Sequence, residues 1–306
     1  MKHKISVIYI LLAGIFWGSS CIFVNELTAI GFSAMHCTAI RILFGAIILN
    51  AALIIKGRGF RLYRVSLPSL GITAACGVFS VLAMCIFYYS SMIRTTAAVS
   101  AILLYTAPIF VMIMSVIFFK ERITTKKIVA FVVAITGCAL VSGIVSGAQA
   151  NVTGIILGVL SGFAYSLYGI FATFYMKKNS EPLTFAALNF IFASIAVIAI
   201  ANVPSLVKIT VSVNAPLSLI PLFAIFSLCT AVLPYFFYTK GLSGVRPDVA
   251  SILAFVEPLT AAVFGITVLK QPFDKYQAVG IALVVSAIVI LNLNFKKREK
   301  KEQKNK

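Results

Sequence analysis

The 306-residue chain is 61% hydrophobic and only 11% charged, against about 45–50% and about 25% in an ordinary soluble domain. With a mean hydropathy of +1.05, too few polar residues remain to cover a water-soluble fold, so composition excludes a soluble globular domain, a disordered chain, a collagen-like fibre and a secreted disulfide scaffold. The formal charge of +18, from 26 Lys+Arg against 8 Asp+Glu, would point to nucleic acid in a soluble protein; in a membrane protein its distribution is what carries information.

A helix needs about 20 mostly apolar residues to cross a hydrocarbon core about 30 Å thick. Ten stretches qualify, at 5–25, 33–55, 67–90, 96–119, 126–145, 152–176, 182–203, 217–239, 247–269 and 275–295. Runs such as Ile281–Leu291 are continuously apolar and lack the alternation of barrel strands. Helices satisfy their own backbone hydrogen bonds in lipid, so the expected fold is an all-α membrane protein of ten transmembrane helices. The first span is read as uncleaved, because no small-x-small site follows the apolar run behind Lys2 and Lys4. The breaks are short and carry turn or charged residues: Lys56-Gly57-Arg58-Gly59, Lys120-Glu121-Arg122, Lys177-Lys178-Asn179-Ser180 and Gln271-Pro272-Phe273-Asp274. The six cysteines, Cys21, Cys37, Cys76, Cys85, Cys138 and Cys229, all fall within spans and form no CxxC pair. They read as small buried hydrophobes.

With the N-terminus inside, the segments on that side hold 21 Lys and Arg; the outer loops hold Arg94, Lys208, Lys270 and Lys275, and Arg41 lies within a span. The positive-inside rule then places both termini in the cytoplasm. The basic tail 296–306 reads as a solvated stop after the last helix, or as a segment that binds anionic lipid.

Shifted by 150 residues, the chain matches itself. Phe87-Tyr88 falls on Phe237-Tyr238, Val99 on Val249, Ile102-Leu103 on Ile252-Leu253, Pro108 on Pro258 and Lys120 on Lys270. At a shift of 148, Gly14 meets Gly162, Trp17 meets Tyr165 and Arg41 meets Asn189. The expected units are therefore a first repeat at 5–145, a second at 152–295 and the tail. A five-helix unit begins and ends on opposite sides of the membrane, so its second copy is inverted. Inverted repeats are a recurrent plan of secondary transporters, with the binding site near the midplane between halves.

Two charges fall deep inside spans, Arg41 and Glu257. Glu257 sits about ten residues into the ninth, on a face with Ala250, Ala254, Ala261 and Gly265. An intramembrane carboxylate is costly unless paired, solvated or protonated, and marks a functional site by default; the alternative is a structural carboxylate that caps a freed backbone group or pairs with Arg. Arg41 lies on a face with Ala34, Thr38, Gly45 and Ile48, repeated around Asn189 by Pro182, Ala186, Ala193 and Ala196. Arg can hold a carboxylate through two parallel hydrogen bonds; snorkelling to headgroups is the alternative. Trp17, Tyr88, Tyr105, Tyr165 and Tyr235 suit either a cavity for amphipathic solutes or plain core packing. Pro108, Pro234 and Pro258 are hinge candidates or static kinks. His36 falls near an outer end and reads as interfacial. No GxxxxGK[ST], HExxH or GxSxG occurs, and only two His are present, so neither a cofactor, a metal nor an enzymatic activity is expected.

The opening Leu12-Ala13-Gly14-Ile15-Phe16-Trp17-Gly18-Ser19-Ser20, Arg41, Tyr105-Thr106-Ala107-Pro108 and Lys120-Glu121-Arg122-Ile123-Thr124 together resemble an EamA repeat. Glu257-Pro258 closes a weaker second copy. The chain is therefore similar, over about residues 5–292, to the drug/metabolite transporter superfamily. It departs from a symmetric pair where Glu121 becomes Gln271 and Arg41 becomes Asn189. The resemblance implies ten helices, an inverted repeat and movement of small metabolites, often amino acids, with export preferred. The resulting expectation is a cell-membrane transporter in which Arg41 meets a substrate carboxylate, Glu257 an ammonium or a coupling proton, and the aromatics the rest. A facilitative channel, an accessory membrane protein and a membrane-embedded enzyme are the alternatives. A reporter fused after Lys306 is expected to signal from the cytoplasm; an external signal overturns the orientation.

Overall fold

A computed structural model describes residues 2–57, 59–94, 97–141, 151–178, 181–213, 216–270 and 275–292. Every regular element among them is helical. In chain order they are α1 (Lys2–Gly18), α2 (Ser20–Ile30), α3 (Ala34–Lys56), α4 (Leu67–Ala75), α5 (Ala83–Arg94), α6 (Ala97–Leu104), α7 (Ala107–Phe119), α8 (Thr125–Val141), α9 (Val152–Lys178), α10 (Pro182–Ile200), α11 (Val203–Ser212), α12 (Leu219–Ser227), α13 (Leu233–Gly241), α14 (Pro247–Leu253), α15 (Val256–Thr267) and α16 (Lys275–Asn292). Consecutive pieces join into eight helices long and apolar enough to cross a membrane: His3–Ile30, Ala34–Lys56, Leu67–Met92, Ser100–Phe119, Val152–Lys178, Pro182–Ile200, Leu219–Gly241 and Pro247–Thr267. Helices α8 and α16 occupy the places of the fifth and tenth expected spans and pack along each other. The ends expected for those two spans, 142–145 and 293–295, lie outside the described residues, as do Gln271–Asp274 and the tail 296–306.

The interruptions recur at equivalent places. Helices α6 and α7 part at Tyr105–Thr106, and α14 and α15 part at Ala254–Phe255, within one residue of the 150 shift. Wide π-turns interrupt the third helix of each half, at Cys76–Leu82 and Leu228–Val232. Proline explains three of the four. Its ring clashes with the carbonyl four residues earlier and supplies no N–H. Pro108, Pro258 and Pro234 therefore disturb the helix at Leu104, Ala254 and Thr230, where the breaks and one π-turn occur. Nothing in the neighbouring sequence explains the π-turn at Cys76–Leu82.

Each break is covered by a helix of the other half. A Cβ at Gly162 of α9 would fall 2.7 Å from Thr106 Oγ1 and 2.9 Å from the Leu103 carbonyl; one at Gly14 of α1 would collide with the Val256 side chain and lie 3.3 Å from the Ala254 carbonyl. Gly14 and Gly162 match at a shift of 148, Val256 and Thr106 at 150, so one contact occurs twice. Only a residue without a side chain lets the helices close so tightly over the interrupted backbone. At the centre Tyr105 meets its own counterpart, Phe255, with ring centroids 5.4 Å apart.

The equivalent helices α3 and α10 run antiparallel. Ser194 Oγ donates to the Ile42 carbonyl at 3.5 Å, the Cβ position of Gly45 faces Phe190, and Asn50 Nδ2 donates to the Ala187 carbonyl at 3.4 Å. As one number rises the other falls. Ser33 and His36 form a capping box at the start of α3, each side chain accepting from the other's backbone N–H. All six cysteines are free thiols, four of them buried. Large apolar side chains such as Ile47, Phe79, Ile117 and Ile195 are exposed, a surface suited to lipid contact. Helix α11 falls in a stretch read as loop from the sequence; Asn202 caps it by accepting from the Ser205 N–H at 3.1 Å.

Leucine at Gly14 or Gly162 is expected to destabilise the detergent-purified protein by about 1–3 kcal/mol, as overpacking does, read as a lower midpoint of thermal unfolding. Gly71→Leu is the control, because nothing stands within 4 Å of its Cβ position. Equal midpoints for all three would remove the close-approach argument.

Candidate functional site

A cavity of about 480 Å³ opens between the halves. Its deep end is made by Trp17, Tyr165, Tyr235 and Glu257, and its walls run outward along α2 and the start of α3 to Asn25, Thr28 and Ala34, with Met92 and Leu269 opposite. Of the eight residues expected at a binding site, seven line it: Trp17, Arg41, Tyr88, Tyr105, Tyr165, Tyr235 and Glu257. Six come from six separate helical pieces and Tyr105 from the break between α6 and α7; the breaks in the fourth and ninth helices bring Tyr105 and Glu257 to the wall.

The two charges share this cavity without forming an ion pair. Arg41 directs Nη2 at the Cys85 thiol, 3.5 Å away, and its buried Nε has no partner. It turns into the bundle, so snorkelling is not its role here. Glu257 is the second residue of α15, beside the break, where unused N–H groups gather at a helix start. Its carboxylate accepts no hydrogen bond among the described residues. An uncompensated carboxylate and guanidinium facing one low-dielectric space attract ligand groups of opposite charge strongly.

Aromatic rings form the floor. Trp17 stands edge-on to Tyr235 with centroids at 5.4 Å and to Tyr165 at 6.0 Å, the arrangement ring quadrupoles favour. Tyr235 is braced from behind by Tyr168 at 4.8 Å and Phe190 at 5.1 Å. The hydroxyls of Tyr88, Tyr105, Tyr165 and Tyr235 make no hydrogen bond among the described residues. The site therefore offers one cation, one anion, four free hydroxyls and flat apolar faces.

Asn189, the counterpart of Arg41, lies elsewhere. It is fully buried against Gly77, with the Tyr168 hydroxyl as a side-chain partner of its amide. The hydroxyl of nearby Tyr168 is engaged with Thr239 Oγ1 at 2.7 Å. The three prolines stand in the first turns of α7, α13 and α15, next to the interruptions and away from the lining.

Several lining residues escaped sequence analysis: Asn25, Thr38, Cys85, Tyr89 and Met92. The signal for some was present. Trp17, Cys21, Val24 and Thr28 follow one helical stripe continued from the Trp17 motif, and Thr38 shares the Arg41 face. Also unanticipated is a charge network at the opposite end. Lys127 pairs with Asp248 in a fully buried contact, Arg246 pairs with Glu121, and Arg246 Nε stands 3.7 Å from Asp248 Oδ1. Lys56 and Glu181, 125 residues apart in sequence, pair at 2.6 Å. Each of these three principal pairs joins a residue before 143 to one after 152.

The EamA-like transporter family matches residues 4–143 and again 152–293. An uncharacterized transporter of Archaeoglobus fulgidus is 28% identical over 246 residues, 79% of this chain and 83% of that protein. The uncharacterized transporter YwfM of Bacillus subtilis is 24% identical over 305 residues, 99% of this chain and 98% of that one. A solved crystal structure shares the fold with a TM-score of 0.75 at 14% identity, over 96% of this chain and 98% of that chain. Two successive matches that leave only the extreme ends and a short connector uncovered establish that the chain belongs to the EamA-like transporter family.

Proposed function

We propose that this membrane transporter is a secondary carrier of small amphipathic metabolites, amino acids or their relatives, across the cell membrane. The observation that carries the reading is the pair Arg41 and Glu257, of opposite charge, unpaired, on one aromatic-floored cavity. The volume lies within the about 300–1,000 Å³ of small-molecule sites and suits one amino-acid-sized solute. Arg41 receives the carboxylate, Glu257 the ammonium or a coupling proton, and Trp17, Tyr165 and Tyr235 flank the side chain, with Tyr88 and Tyr105 offering hydroxyls.

In this reading the ten helices form two inverted halves, 5–145 and 152–295, with both termini cytoplasmic. The antiparallel course of α3 and α10 supports the inversion. The basic residues then put the cavity mouth outside and the charge network inside. The halves rock about the breaks at Pro108, Pro234 and Pro258, and the net direction is export. Ion pairing across the far end favours a carrier over an open channel.

In proteoliposomes, a metabolite panel assayed with and without a pH gradient is expected to identify a zwitterionic substrate. Glu257→Gln and Arg41→Ala are each expected to slow its transport about 10–100-fold, the loss of one hydrogen bond to a charged group. Wild-type rates in both variants would remove the assignment. Trp17 is the chain's sole tryptophan, so the same substrate is expected to shift the emission of the purified protein, and the response should vanish in Trp17→Phe. Substrate binding seen by calorimetry with unchanged emission would move the site away from Trp17.

A further inference from the structure

We propose that Tyr168, Asn189 and Thr239 form a second, closed half of the transport pathway, which substrate meets after leaving Arg41 and which the network Glu121–Arg246–Asp248–Lys127 keeps shut. The inference rests on the carrier reading above and extends it to residues outside the open cavity.

Three cavity-lining positions lead to these residues. Ser20, Arg41 and Tyr89 line the open cavity. Their counterparts at shifts of 148 to 150 are Tyr168, Asn189 and Thr239, and all three are buried. A buried amide is costly unless its polar atoms are satisfied, yet Asn189 stands at 0% exposure with the Tyr168 hydroxyl, itself shared with Thr239, as its side-chain partner. Packing alone would be served better by an apolar residue of its size. The hydroxyls of Tyr168 and Thr239 satisfy each other, as polar groups must when water is excluded. Inverted halves that exchange conformations would expose these groups on the opposite face as Ser20, Arg41 and Tyr89 are exposed now.

Location agrees with this. Asn189 is eight residues into the bundle from Glu181, about 12 Å along a helix, and Thr239 precedes Arg246 by seven residues. Both lie between the cavity floor and the charged end. In the sequence the network has no charged counterpart: under the 150 shift Glu121 becomes Gln271, Lys127 becomes Gln277, Arg246 becomes Thr96 and Asp248 becomes Ala98. Lys120 and Lys270 share a left-handed backbone, with φ of 54° and 55°, which supports that register. All four charges are thus confined to the end that is shut.

The test uses the full-length protein in membrane vesicles carrying Thr239→Cys or Asn189→Cys. A membrane-impermeant maleimide is applied from each face, and labelling is read at every cysteine by mass spectrometry, with Cys21 of the cavity as internal reference. With the network intact, both introduced thiols are expected to stay unlabelled. Lys127→Met with Asp248→Leu removes two charges without stranding either. It is expected to raise labelling at both sites at least about tenfold, from the face bearing residue 127 alone, as the population shifts. Lys127→Asp with Asp248→Lys rebuilds the pair and should restore protection. Glu121→Gln with Arg246→Gln is the second opening variant, should the first fail to fold. Unchanged labelling at positions 189 and 239, in a protein whose Cys21 still reacts, overturns the proposal. The assay needs no substrate, so its failure is separate from any failure of the Arg41 and Glu257 assignments.

Discussion

In a hydrocarbon environment every backbone donor and acceptor must find its partner inside the protein. That constraint governs how this bundle can be broken. At the breaks after Leu104 and before Val256 the regular pattern is replaced by tighter local bonds, Thr106 N–H to the Leu103 carbonyl and Glu257 N–H to the Ala254 carbonyl, and backbone so disturbed must lie in the interior with another helix against it. Gly14 and Gly162 meet the requirement by removing the side chains that would hold the covering helices away. The breaks in turn bring Tyr105 and Glu257 to the cavity wall. The position of the candidate site thus follows from where the backbone could be left incomplete.

Repetition gives the scaffold, and departures from repetition give it chemistry. The same breaks, π-turns and left-handed lysines occur in both halves. Charge does not. Arg41 faces Asn189 across the repeat, Glu257 corresponds to Ala107, and the network of Glu121, Lys127, Arg246 and Asp248 has neutral counterparts. A symmetric chain would hold its two end states at equal energy. Buried ion pairs contribute less than their Coulomb energy suggests, because desolvation offsets it, but they impose a geometry that a pair of neutral ends lacks.

Much of the architecture was legible in residue order. Apolar runs separated by short charged breaks located the helices, and the 150-residue self-match located the repeat because Pro108 and Pro258 mark the same backbone event. Seven of eight expected site residues reached one cavity, since intramembrane charges and tyrosines on small-residue faces have few stable places except an interior space. Other features were not legible. The π-turn at Cys76–Leu82 has no proline to announce it. Asn25 and Met92 reach the cavity through the geometry of helix ends, which composition does not encode. Lys127 and Asp248 stand second in their expected spans, where nothing in the sequence pairs them, and only the tertiary fold shows that their side chains are buried together. Asn189 shows the limit of arguing by equivalence: related positions share a helix face but, in one conformation, not an environment.

The ring contact between Tyr105 and Phe255 has a thermodynamic consequence. These residues are each other's counterparts, so exchanging the conformations of the two halves maps their contact onto itself. Whatever it contributes to one end state it contributes to the other, apart from a single hydroxyl. In the rocking motion proposed above it would be a fulcrum, holding the halves together throughout while leaving the balance between end states untouched. In that proposed cycle such a contact could be strong without slowing either direction of exchange, whereas every off-axis contact would be made and broken once per turn.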